Sequence, residues 1–187
     1  TDLFDTCILG ELSKIWVNSC NPSSLENKNL FFTKPWFWNG KISTPPFSIF
    51  SNAFEKLPEL FFDVKPEDGN EYIKIYGRFN NERVYKWFRK DYVTCPSNFE
   101  KYKIILPKAN GSGAIGEVLS TPVIGYPVIG YTETFISVGE FDSLEEAEAC
   151  LKYIKSKFLR TMIGILKITQ DNTKAVWHYV PLQDLTV

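Results

Sequence analysis

Residues Lys103–Pro122 read KIILPKANGSGAIGEVLSTP. Gly111, Gly113 and Gly116 complete a G-x-G-x-x-G, Val118 extends it to G-x-G-x-x-G-x-V, and a strand-like YKIIL precedes it. Three phosphate-binding folds open this way, so this loop decides the fold class. A dinucleotide fold needs the strand to run directly into the first glycine and a helix to open at the last. Here Pro107, Lys108, Ala109 and Asn110 intervene, and Pro122 follows too soon for a crossover helix. The kinase glycine loop matches letter for letter. However, no lysine stands between Lys108 and Lys152, and neither H-R-D nor D-F-G occurs. A P-loop requires Lys-Ser/Thr after the last glycine, whereas Glu117-Val118 places a carboxylate there. What remains is a small-residue loop led by Lys108, Asn110 and Ser112, whose glycines let the backbone approach another surface closely. Lysine meets phosphate or guanine, and asparagine pairs with adenine.

Working outward, EYIKIYGRF (71–79) alternates as a strand and turns at Asn80-Asn81. ERVYKWFRKDYV (82–93) reads as strand or helix, and ELFFDV (59–64), bracketed by Pro58 and Pro66, as a short strand. PSNFEKY (96–102) reads as a helical turn, with Ser97 and Glu100 as a capping box. PVIGY occurs twice in succession, at Pro122–Tyr126 and Pro127–Tyr131, and YTETFISVGEF (131–141) reads as one strand. Ser143 and Glu146 open a helix with a buried stripe of Leu144, Ala147, Leu151, Ile154 and Phe158. LRTMIGILKITQ continues it past a bend, and AVWHYVPLQDLTV is strand-like. At the N-terminus, residues 1–20 show helical spacing, 21–29 a loop, and 30–54 an aromatic, proline-broken extended segment. The expected fold is α+β: a curved, mostly antiparallel sheet with flanking helices and a helical segment at about 143–170. A single domain is expected over 1–187, with its core at 45–187.

The net charge is −1, but it is unevenly spread. From Tyr72 to Lys108 stand nine basic and three acidic residues, a local +6 between acidic flanks. Such a window suggests a face for an anionic partner. Cys7, Cys20, Cys95 and Cys150 form no C-x-x-C and His178 is the single histidine, which argues against a zinc site. The cysteines read as reduced thiols of a cytoplasmic protein. No apolar run approaches the roughly 20 residues of a membrane span, and the start, TDLFDTCILG, lacks the basic region of a signal peptide. Metal-dependent cleavage would draw on Asp63 and Lys65 of DVK, without a matching upstream carboxylate. His178 reads as packed among aromatics.

GRFNNERVYKWFRKDYV (from Gly77), KYKIILPKANGSGAIGEVLSTPVIG, TETFISVGEFDSLEEAEACLKYIKSKFLRTMIGILKITQD and WHYVPLQDL together resemble the C-terminal target recognition region of bacterial adenine-specific DNA methyltransferases. These belong to restriction–modification systems and are often fused enzymes that also cut. The resemblance spans about Pro45 to Leu185. It implies a parent enzyme using S-adenosylmethionine to methylate adenine, with double-stranded DNA and an upstream methyltransferase domain as partners. This chain lacks Asn-Pro-Pro-Tyr, since CNPSS (20–24) lacks the second proline and the aromatic. On this resemblance no catalytic residue and no cofactor site are expected in this chain, and the methylating half is expected upstream of Thr1. The resemblance places Lys108, Asn110 and Ser112 in a DNA groove. Local charge adds Arg78, Arg83, Lys86 and Arg89 on phosphates or bases. Two other readings stay open: a nuclease domain, and a protein-interaction module suggested by the acidic flanks and by WFW (36–38).

Overall fold

The computed structural model describes residues 49, 51–92, 97–110, 118–167, 169–172, 174–177, 179–181 and 183–185. The elements expected over 1–44, the glycine-loop tip at 111–117 (with Ser112) and His178 lie outside them. The fold is α+β and its strand pairing is mostly antiparallel. The strands fall into two three-stranded sheets where one curved sheet was expected. They belong to two compact units: 49–100 with Pro127–Thr134, here the hairpin unit, and Lys101–Tyr126 with the residues from Phe135 on, here the helical unit.

The hairpin unit is built on β1 (Tyr72–Phe79) and β2 (Glu82–Arg89), paired antiparallel from Tyr72↔Arg89 to Phe79↔Glu82. Asn80 and Asn81 form the two-residue turn at φ 50° and 65°. That double left-handed conformation matches the twist of the strands, and asparagine tolerates it better than most residues. The ambiguity at 82–93 resolves as strand to Arg89 and a 3-10 turn at Lys90–Tyr92. One face of the hairpin presents Ile73, Ile75 and Phe88 to a core with Phe54, Leu57, Leu60 and Phe61. The short helix α1 (Ala53–Lys56) and a 3-10 turn at Pro58–Leu60 supply that layer, and Phe61 stacks between Phe54 and Phe88 at 4.8 Å from each. Of the strand expected in ELFFDV, a single bridge remains: Phe62 exchanges both backbone hydrogen bonds with Trp87. The three-residue strand β5 (Ile129–Tyr131) completes the sheet, parallel to β1.

In the helical unit, β3 (Tyr102–Pro107) lies between β4 (Val123–Gly125) and β6 (Phe135–Phe141), antiparallel to both. β3 is buried on both faces, as its apolar run Ile104–Ile105–Leu106 requires, and Lys103 is buried with it. Between Tyr102↔Phe141 and Ile104↔Val138 one extra β6 residue is accommodated. Gly139, at φ 73°, takes up this bulge, and a Cβ there would collide with the Phe141 ring. The strand expected over 131–141 is thus two strands, one in each sheet.

Helix α2 (Leu144–Lys155) begins as its capping box dictates. Glu146 N–H donates to Ser143 Oγ at 3.2 Å, and Asp142 N–H donates to Glu146 Oε2. Its buried side holds Ala147, Cys150 and Ile154 against Ile104, Leu106, Ile136 and Val138. Ser156 then leaves helical geometry and caps α3 (Lys157–Leu166) through Leu159 N–H. The break rotates the helical register, so Phe158, expected in the stripe, is exposed while Leu159 and Ile163 are buried. The strand expected near the C-terminus is instead a short helix, α4 (Lys174–Trp177), whose Trp177 is fully buried. Among the described residues no helix is long and apolar enough to cross a membrane.

Candidate nucleic-acid interface

The alternation of a strand sorts the basic window. Residues 72, 74, 76 and 78 of β1 share one face with their β2 partners 89, 87, 85 and 83. That outer face therefore reads Tyr72, Lys74, Tyr76 and Arg78 beside Arg89, Trp87, Tyr85 and Arg83. Arginines stand at both ends of this face, and rings with Lys74 fill its middle. Arg78 and Arg83 are direct cross-strand partners, a like-charge placement that costs the sheet stability. Both are exposed, and Arg78 Nη2 donates to Asn81 Oδ1 of the turn.

The rings are ordered by their neighbours. Tyr76 and Tyr85 pack at 4.8 Å, with Tyr76 buried and Tyr85 43% exposed. The Lys74 and Lys65 ammonium groups lie 5.1 and 5.7 Å from the Trp87 ring centroid. At the strand end, Arg89 Nε lies 2.7 Å from Asp91 Oδ1, and its guanidinium is over Tyr92. The hydrogen bond to Asp91 raises the Arg89 pKa above its ordinary value, and burial opposes this. Tyr72 OH donates to Asp68 at 2.8 Å. Partial burial first, and this bond second, push the Tyr72 phenol up.

Lys86 is elsewhere. It faces the core side opposite Ile75, is 8% exposed, and its Nζ donates to Asp63 Oδ1 at 2.6 Å. Its neighbour in sequence parity, not in charge, decides this. The DVK pair is likewise occupied: Asp63 by Lys86, Lys65 by Trp87. Among the described residues no three His, Cys, Asp or Glu side chains gather to hold a metal ion.

The glycine-rich loop belongs to the helical unit. It connects β3 to β4, which are antiparallel neighbours, so 108–122 is a hairpin connection. A parallel crossover, which every dinucleotide fold needs, is absent at this point. The base of the loop is held by polar groups. Asn110, 2% exposed, accepts from Ser120 N–H at 3.2 Å and lies 3.5 Å from Asn172 Nδ2. Asn172 donates to Pro107 O at 2.8 Å, and its backbone N–H donates to Lys108 O. Lys167 Nζ donates to both Asn172 Oδ1 and Val118 O. Asn110, expected at a base edge, is thus part of this clamp. Lys108 is exposed beside it, and Ser112 lies outside the described residues.

The chain matches no family model, no curated protein and no solved structure. The interface therefore stands on its own geometry. Of the expected residues, the outer face brings together Arg78, Arg83 and Arg89. It adds Lys74, Tyr85 and Trp87, which the sequence reading did not single out. Their signal was the period of two: once 82–89 is a strand, Arg83, Tyr85, Trp87 and Arg89 must share a face.

Proposed function

We propose that this chain is a DNA-recognition module, non-catalytic by itself, of a cytoplasmic restriction–modification adenine methyltransferase. Its role is to hold duplex DNA for domains that bind S-adenosylmethionine and modify the base. The observation that carries this reading is the outer face of β1–β2, which gathers Lys74, Arg78, Arg83 and Arg89 on one side of a two-stranded ribbon. A two-stranded ribbon fits the major groove. The Arg78–Arg83 juxtaposition sets two exposed guanidinium groups side by side, which suits an anionic ligand. Exposed Lys108, at the foot of a glycine-rich connection, adds a cation in the helical unit. The resemblance of Gly77 onward to target recognition regions supports the adenine-methyltransferase context.

The test is fluorescence anisotropy with a short duplex across a salt series. Four phosphate contacts from the outer-face cations would give a log–log slope of about −4. Arg78→Glu with Arg83→Glu is expected to weaken binding and to bring the slope about two closer to zero. Duplex affinity that is absent at low salt, or indifferent to the double reversal, would sink the DNA reading and favour a protein-interaction module.

A further inference from the structure

We infer that the same hairpin face also takes unpaired nucleotides, stacking their bases on Tyr85 and Trp87. This rests on reading the face as a nucleic-acid interface, and it names a second substrate form for it. Phosphate contacts alone would need only the cations. The aromatic side chains are arranged beyond that need. Tyr85 is 43% exposed, with the buried Tyr76 packed 4.8 Å away as its support. Trp87 is half-buried and lies two residues along the same strand face. Phe62, 36% exposed, is Trp87's partner across the bridge on the far edge of β2.

The charges fit one occupant. Lys74 and Lys65 sit over the Trp87 ring and Arg83 flanks Tyr85 on β2. Rings flanked by cations suit the bases and phosphates of a single strand, where every base offers a π-face. The strand rise sets Tyr85 and Trp87 about 7 Å apart, close to the step of one stretched nucleotide. A duplex keeps its bases stacked on each other and leaves these rings unused. Stacking on the hairpin therefore requires unpaired bases.

The full chain is titrated by anisotropy, at one low salt concentration, with labelled oligo-dT, oligo-U and a duplex. Tyr85→Ala is expected to weaken single-strand binding about tenfold and duplex binding by clearly less. Tyr85→Phe is expected to keep both. Circular dichroism of the variants verifies that the surface change leaves the fold intact. Single-strand affinity that Tyr85→Ala does not lower, or lowers equally with duplex affinity, overturns the inference. Duplex binding without single-strand binding overturns it too, and leaves the proposed function standing. Single-strand binding without duplex binding does the reverse.

Discussion

Replacing Asn110 by alanine separates two roles for the loop that begins there. In the structure its carboxamide oxygen accepts from Ser120 N–H and sits beside Asn172 Nδ2. Asn172 keeps its bond to Pro107 O when Asn110 is truncated, so the main loss is the acceptor for Ser120 N–H. A partly buried donor left unpaired costs about 1–3 kcal/mol. The small cavity adds up to about 1 kcal/mol. Asn110→Ala should therefore destabilise the chain by about 2–3 kcal/mol, a fall in Tm of roughly 5–10 °C. Urea unfolding followed by tryptophan fluorescence measures it, and amide exchange should accelerate at Ser120. The folded variant should bind duplex DNA as the parent does. A base contact, by contrast, is worth about 1–3 kcal/mol of binding. Unchanged stability with a loss of affinity on the order of tenfold would mean that Asn110 reads a base and the clamp is misassigned.

Gly77→Ala should destabilise the hairpin unit by roughly 1–3 kcal/mol, since its Cβ would stand 2.5 Å from the Phe54 ring and 3.0 Å from Thr132; equal denaturation midpoints would refute this packing. Asn81→Gly should stabilise by up to about 1 kcal/mol, because Asn81 holds φ 65°; a lower Tm would contradict the turn assignment. Burial pushes the Cys150 thiol up to about 12, so it stays protonated through neutral and mildly alkaline pH. In a chain with Cys7, Cys20 and Cys95 changed to serine, a disulfide reagent at pH about 8 should label Cys150 only on unfolding; rapid labelling of the native protein would show it accessible.

Much of the fold was legible because local rules and tertiary packing agree. The alternation of 71–79, the Asn-Asn turn and the Ser143–Glu146 box each fix a local conformation that the core then accepts. The helix beyond Lys155 was read with the wrong stripe because a serine can sit inside a helix or cap the next one. Ser156 does the second, and only Leu159 and Ile163 entering the core shows it. The site was half legible. Charge density located the hairpin, yet density cannot tell opposite faces apart, and Lys86 went with the arginines until strand parity set it against Asp63.

The amino-acid order by itself determined that Lys103–Pro122 departs from the three phosphate-loop patterns, that the chain mixes strands with capped helices, and that its cations gather in the middle. Tertiary structure alone decided the fate of the repeated PVIGY. The first copy supplies β4, antiparallel to β3, and leaves Tyr126 49% exposed. The second supplies β5, parallel to β1, and leaves Tyr131 1% exposed. It also holds Val128 at φ 65°, with Val128 N–H bonded to Phe99 O. Five identical residues carry identical propensities, so nothing local distinguishes the copies. Their partners do, because a strand's conformation and burial belong to the pair it joins.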